Sequence, residues 1–291
     1  MKGIILAGGH GTRLYPLTKY TSKQLLPVYD KPMIYYPLSI FLQAGIKDIL
    51  IITNPEFVAI YKDLLKDGSH LGINISYKIQ LEPKGIAEAF ILGEDFIAED
   101  SVSLILGDNI FYGKNIEDLL KNCINNIENN NCTIIGYEVT DPERFGVVEF
   151  DINNNVKGVE EKPKDPKSNF AVTGLYFYTN DVVKFAKSLS PSIRGELEIT
   201  DLNNIFIKEK KMLIEMMDAS KFKWLDSGTF SALLESSAFI KEQQENLNIQ
   251  VGLLDEVAFL KGFISKSELK DNLNGLSIDL QKYLIKKYLK S

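Results

Sequence analysis

Residues 3–28 read GIILAGGHGTRLYPLTKYTSKQLLPV, and this stretch decides the fold. The apolar run from Ile4 to Ala7 has the length of a buried strand and stops abruptly in glycines. Glycine directly after a buried strand marks a place where backbone must approach something closely. Arg13, Lys19 and Lys23 follow. Consecutive backbone N–H groups in such a loop can cradle phosphate oxygens, and Arg13 can add a bidentate charged contact. The loop is not a Walker loop, because it lacks the GK[ST] ending. Nor does it fit G-x-G-x-x-G, because Leu14 stands at the third glycine. A tight turn with a surface arginine is the plainer alternative.

Outward from this stretch, strand-like runs at 48–53, 74–80 and 102–106 alternate with helical patterns at 32–44, 55–66 and 85–97. That alternation predicts a mostly parallel sheet covered by helices on both faces. Ligands of such sheets sit at the carboxyl ends of strands. The glycine loop and LGDN (106–109) both follow strands, so both can reach one crevice. The middle of the chain changes character, with strand-like runs at 133–139, 147–150, 156–160 and 172–178. DINNN (151–155) reads as a turn between two of them, and Asn180 as a helix cap. Helix returns at 197–210 and again at 230–244, and the last forty or so residues read as short helices. The terminal LQKYLIKKYLKS has apolar residues at near-helical spacing with lysines between. It suits a packing or subunit-contact helix better than a membrane-surface one.

Bulk properties narrow the classes. The chain has 291 residues, 45% hydrophobic and 25% charged, which is ordinary for a globular protein. A net charge of −6 argues against broad nucleic-acid binding. Cys123 and Cys132 form no disulfide framework and no C-x-x-C pair, which favours a reducing cytoplasm. No secretory signal and no membrane-spanning stretch is expected.

Several side chains are candidates for chemistry. Asp108 lies just past an apolar strand, where a carboxylate holds a divalent metal or a ribose hydroxyl, or closes an Asx turn. Asp226, in WLDSGT, is a second such carboxylate, or part of a helix-capping segment with Ser227 or Thr229 as the cap. Sequence spacing does not show that the two aspartates meet. Glu161 and Lys162 in EEKP could take a hydroxylated ligand and a phosphate, or form a solvated charge run. Arg194, flanked by Glu196 and Glu198, reads equally as a surface loop. With two histidines, His10 and His70, and no G-x-S-x-G, a protein nucleophile has little support.

Together these pieces resemble the sugar nucleotidyltransferases. KGIILAGGHGTRLYPLT and SKQLLPVYDKPMIYYPL carry the first part of the resemblance. LGDNIFYG, DPERFGVVEFD, EEKPKDPKSNFAVTGLYFY, RGELEITDLN and WLDSGT carry the rest, in order, over nearly the whole chain. The resemblance implies a Rossmann-like α/β core at 1–245, with a mixed, mostly parallel sheet and nucleotide-binding and sugar-binding halves. A helical C-terminal extension at 246–291 would follow. The implied reaction converts dTTP and α-D-glucose 1-phosphate to dTDP-glucose and pyrophosphate with Mg²⁺, a first step towards dTDP-rhamnose and other deoxysugars, in a cytoplasmic homotetramer. Leu6, Gly8, Gly9, Gly11 and Thr12 fall in the implied nucleotide loop, and Arg13 and Lys23 match its cations. Gln24 and Gln80 match base-reading positions, with Gly85 in the base-contacting loop. Asp108 and Asp226 match metal ligands. Asn109, Gly146, Glu161 and Val172 match sugar contacts, and Lys162 and Arg194 match grips on the sugar phosphate. The sequence departs from the pattern at His10, where serine is frequent, at Phe145, where tyrosine is usual, and at LEPKG (81–85), where Lys84 replaces an acid.

Overall fold

The computed structural model describes residues 1–153 and 155–290. Asn154, within the expected DINNN turn, and Ser291, at the end of the lysine-rich terminal segment, lie outside the described residues. The strands are β1 (Lys2–Ala7), β2 (Pro27–Val28), β3 (Lys31–Pro32), β4 (Asp48–Thr53), β5 (Asn74–Ile79), β6 (Val102–Leu106), β7 (Asn109–Gly113), β8 (Cys132–Glu138), β9 (Gly146–Phe150), β10 (Val156–Glu161), β11 (Phe170–Tyr178), β12 (Met212–Met217) and β13 (Phe222–Asp226). The helices are α1 (Tyr35–Gln43), α2 (Val58–Leu65), α3 (Glu88–Leu92), α4 (Glu94–Ile97), α5 (Ile116–Glu128), α6 (Asp181–Ser188), α7 (Ile199–Lys208), α8 (Phe230–Leu247), α9 (Leu254–Leu260), α10 (Lys266–Asn272) and α11 (Ile278–Leu284).

A nine-stranded mixed sheet runs in the order β10-β9-β11-β6-β1-β4-β5, with β8 on β11 and β12 on β8. The strands β6, β1, β4 and β5 are mutually parallel. The long strand β11 is antiparallel to β6, β8 and β9. The sheet is therefore mixed, as the resemblance implies. From β1 the chain continues through β4 on one side, and β6 comes back on the other. That reversal opens a crevice at the carboxyl ends of β1 and β6, where the glycine loop and Asp108 emerge.

The apolar strands read as continuous runs because both faces of the sheet are covered. Side chains alternate faces along a strand. Ile5, Ile51, Ile105 and Phe177 join one core, while Ile4, Leu50, Leu104 and Tyr178 join the other. The first core is shared with the C-terminal helices through Leu253, Leu254, Ala258, Ile264, Leu269, Leu273 and Leu284.

Some expected helices are shorter than their patterns. The 85–97 pattern starts at Glu88 and is divided at Gly93 into α3 and α4. The 32–44 pattern yields Pro32 to β3 and Met33 and Ile34 to a turn, so α1 starts at Tyr35. Thr229 caps α8, its Oγ1 accepting from Ala232 N at 3.2 Å. Ser227 instead bonds Ser236, with the hydroxyl oxygens 2.9 Å apart. Asn180 occupies the position before α6 without a side-chain cap bond. Its amide donates to the carbonyls of Ala98 and Asp100, tying α6 to the loop before β6. Helix α5 and strands β7, β12 and β13 lie outside the expected elements. In α5, Ile116, Leu119, Leu120 and Cys123 are buried at helical spacing, which is the signal the sequence offers for it.

Candidate functional site

A cleft of about 540 Å³ opens where β1 and β6 end, and it extends across to β9, β10 and α7. Its wall includes Gly9, Gly11, Thr12, Arg13, Lys23, Asp108, Asn109, Gly146, Glu161, Lys162, Val172, Arg194 and Asp226. The expected site residues Leu6, Gly8, Gln24, Gln80 and Gly85 are not on that wall. The Leu6 carbonyl accepts from Gly107 N at 2.9 Å, holding the two strand ends together. Gln24 and Gln80 are buried. Gly85 has φ +103°, and a Cβ there would lie 2.3 Å from the Leu197 carbonyl oxygen, so this glycine serves a close backbone approach to the segment before α7.

The glycine loop leaves β1 with Gly9 at φ +97° and Gly11 at φ +58°. Asn54, just after β4, clamps it: Gly9 N donates to Asn54 Oδ1 at 3.1 Å, and Asn54 Nδ2 donates to the Gly9 carbonyl at 3.3 Å. Thr18 Oγ1 donates to the Gly11 carbonyl at 2.8 Å. The Gly9 amide is thus already engaged within the protein. Neither Asn54 nor Thr18 stands out in the sequence. Asn54 gains its place from parallel strand pairing, which brings the residue after β4 beside the residues after β1, and Thr18 gains its place from the loop folding back on Gly11.

Asp108 and Asp226 meet through a two-stranded ribbon. Strands β7 and β13 are antiparallel with Asn109 opposite Asp226, and Ser227 N donates to the Asp108 carbonyl at 3.2 Å. Asn109 locks the ribbon to the main sheet. Its Oδ1 accepts from Trp224 Nε1 at 2.6 Å and from Gly174 N at 3.1 Å. Its Nδ2 donates to Asp108 Oδ1 at 3.0 Å. Gly174 is needed there, since a Cβ would lie 2.5 Å from Asn109 Oδ1.

The two carboxyls titrate in opposite directions. Burial pushes Asp108 up, but the Lys23 ammonium paired with it and the Asn109 amide outweigh that and hold it below the usual carboxylate range. Burial and the neighbouring Asp108 push Asp226 up, partly offset by Lys23, Arg144 and Arg13. Two crowded carboxylates, one of them paired with Lys23, are a donor set that a small hard dication would relieve. Among the described residues no group of three or more His, Cys, Asp or Glu side chains is placed to hold a metal. Two carboxylates suit Mg²⁺, which takes one or two protein carboxylates and fills its octahedron with water and substrate phosphate oxygens.

The opposite wall is a charge cluster. Arg194 donates to Glu198 Oε2 at 2.7 Å and Oε1 at 3.1 Å, and to Glu161 Oε1 at 3.3 Å. Thr200 Oγ1 donates to Glu161 Oε2 at 2.6 Å. Lys162 follows β10 with φ +47°, and its Nζ lies 3.6 Å from Glu161 Oε1. Against the bias of burial, the Arg194 guanidinium and Ser192 hydroxyl hold the Glu198 carboxyl low. Gly146, opposite Glu161 in the β9–β10 pairing, leaves room for Thr200 and Glu161. Arg144, Tyr176, Glu196, Glu198, Thr200, Asn203 and Trp224 also line the cleft. Apolar Ile199, Leu202 and Phe206 fall at helical spacing and mark α7 as a packed helix, but nothing in the sequence alone aims Thr200 and Asn203 at a ligand.

Comparisons with known proteins identify the relatives of this chain. A family model described as nucleotidyl transferase matches residues 2–243. A glucose-1-phosphate thymidylyltransferase from Neisseria meningitidis serogroup A is 52% identical over 271 residues, covering 93% of each chain. A crystal structure of a Bacillus anthracis protein assigned as a glucose-1-phosphate thymidylyltransferase, in complex with a sucrose, superposes with a TM-score of 0.76. It is 43% identical and covers 82% of this chain and 94% of its own. A UDP-glucose pyrophosphorylase complexed with UDP-glucose superposes with a TM-score of 0.73 at 27% identity, covering 83% of this chain and 98% of its own.

Proposed function

Since the chain belongs to the nucleotidyl transferase family, we propose that it transfers a thymidylyl group from dTTP to α-D-glucose 1-phosphate, giving dTDP-glucose and pyrophosphate. The convergence of Arg13, Lys23, Lys162, Arg194 and the Asp108–Asp226 pair on one cleft is the observation that carries this reading. The curated relatives that share about half their residues with this chain support the choice of nucleotide and sugar.

The nucleophile is a phosphate oxygen of glucose 1-phosphate, which attacks the α-phosphorus of dTTP in line as pyrophosphate leaves. No protein nucleophile is required. The obstacle is repulsion between anions: one pair of unit charges at 4 Å repels by about 1 kcal/mol in water and about 4 kcal/mol at an effective dielectric of 20. Several such pairs meet here, so neutralisation dominates. Arg13, with Lys23, faces the triphosphate. The Gly9 amide is taken by Asn54, so triphosphate binding leans on these cations and the remaining loop amides. Lys162 and Arg194 hold the sugar phosphate, with Glu161 and Glu198 orienting Arg194. Asn109, Gly146, Glu161 and Val172 shape the sugar side. Gln24, Gln80, Gly8 and Gly85 serve the base side. Asp108 and Asp226 would hold Mg²⁺, which would supply neutralisation of phosphate charge. Fixing both substrates in one rigid cleft supplies the remaining advantage.

The same proposal includes a homotetramer working in the cytoplasm at the entry to deoxysugar synthesis. No helix among the described residues is long and apolar enough to cross a membrane. A uridylyltransferase is the second reading, favoured by the likeness to UDP-glucose pyrophosphorylase. Pyrophosphate release with glucose 1-phosphate and Mg²⁺, compared for dTTP, UTP, ATP, CTP and GTP, tests both. Preference for dTTP is the expected result. Equal or better use of UTP selects the second reading, and no release with any of the five overturns both.

A further inference from the structure

We propose that Glu88 is a specificity-positioning residue, fixing the Gln80 amide so that its carbonyl oxygen faces the Gly8 side of the nucleotide loop and selects bases with an imino N–H. The inference rests on the reading of Gln80 as part of the base side. Gln80 follows β5, and Glu88 opens α3 eight residues later. Gln80 Nε2 donates to Glu88 Oε2 at 2.7 Å, and the same oxygen accepts from Lys84 N at 3.3 Å. A carboxylate oxygen can only accept, so the amide has one permitted sense. The reversed amide would set Oε1 against the carboxylate and lose the bond. With Nε2 fixed, Oε1 is directed at Gly8, where a Cβ would lie only 2.3 Å away. Glycine at position 8 is what admits it.

Gln24 is held by a hydroxyl instead of a carboxylate. Ser22 Oγ donates to Gln24 Oε1 at 2.6 Å, while the Ser22 hydroxyl also meets the Tyr61 hydroxyl at 2.9 Å. A hydroxyl can donate or accept, so Ser22 does not fix the sense of the Gln24 amide, whereas the Glu88 carboxylate does fix that of Gln80 and leaves its oxygen uncommitted among the described residues. The fixed acceptor of Gln80 complements the ring N–H of thymine or uracil. Cytosine presents a lone pair at the ring nitrogen, which would face the Gln80 oxygen unfavourably. Glu88 itself is part-buried and is absent from the cleft wall, so it acts through Gln80.

Glu88→Gln is the test, because it keeps the shape and can present either amide end to Gln80. Pyrophosphate release with glucose 1-phosphate is measured for wild type and E88Q with dTTP and with dCTP. The expected result is a fall of roughly tenfold in the dTTP-to-dCTP ratio of kcat/KM, mainly through better use of dCTP. Loss of a merely structural contact lowers both nucleotides alike, so an unchanged ratio overturns the inference even where both activities drop. Wild type that prefers dTTP with an unaltered E88Q ratio sinks the role of Glu88 alone. Wild type that does not use dTTP sinks the reading beneath it as well.

Discussion

Arg13, Lys162 and Asp226 make the sharpest demands at the scale of single residues. Arg13→Ala or Lys162→Ala removes a charge that is worth most when phosphate charge is shifting. Each should slow turnover by about 10²–10³-fold, the range for loss of one preorganised electrostatic donor. Circular dichroism should remain that of wild type, since Arg13 is exposed and, among the described residues, Lys162 forms an ion pair only with Glu161. Near-normal turnover in either purified variant would contradict its role. Asp226→Asn keeps the shape while removing one of two crowded carboxylates. A magnesium titration of activity should then shift to higher metal concentration, and an unmoved titration would remove Asp226 from the ligand set. Residue-scale signals were partly legible in sequence: glycines, cations and aspartates are conspicuous by type. Asn54, Thr18 and Glu88 were not, because a neutral or acidic side chain in a loop or helix acquires meaning only from the neighbour the fold supplies.

At the scale of elements, the β7–β13 ribbon is the decisive piece. It brings Asp226 to Asp108 across more than a hundred residues of sequence, and it depends on Asn109 being gripped from both sides. Trp224→Phe removes one of those two donors while Gly174 N remains. The expected cost is about 1 kcal/mol of stability, with a several-fold rise in KM for glucose 1-phosphate. A chemical denaturation curve and a sugar-phosphate saturation curve read the two effects separately. A KM equal to wild type would show that the ribbon tolerates a looser Asn109. The parallel strands were legible because runs such as DILIIT are apolar on both faces and bounded by polar turns. The ribbon was not, because NIFYG and FKWLD are short and mix polar with apolar residues, so neither has a period of its own.

For the whole molecule, the C-terminal helices are built into the sheet's first core rather than laid on its outside. A chain ending at residue 247 should lose them and expose Ile34, Leu38 and their neighbours. It is expected to aggregate or to lack a cooperative melt, and a sharp thermal transition near that of the full chain would refute this. His70 lies at the same junction. Its Nδ1 is buried without a partner among the described residues, Asn272 donates to its carbonyl, and Asp255, Lys66 and Asp67 act on its charge. Burial lowers its pKa from the ordinary 6.5. The unfolded chain therefore binds the proton first, and stability falls as pH drops from 6.5 towards the lower folded value. Burial raises Asp255, which acts in the opposite sense at its own titration. His70→Asn should flatten the slope of melting temperature against pH just below 6.5, and an unchanged slope would assign it elsewhere. The sequence announced helices after residue 246 but not their attachment, since shared burial is a property of two surfaces together.

The pairing of β7 with β13 also sets a timetable for synthesis. Strand β7 ends at Gly113, and its partner begins at Phe222, 109 residues further on. At 5–20 residues per second, a ribosome needs roughly 5–22 s to deliver that partner. Throughout the interval Ile110 and Phe111, buried in the finished protein, belong to a strand without its mate. The nascent chain therefore carries an unpaired apolar strand during that wait, and Asp108 and Asp226 cannot meet before β13 has emerged.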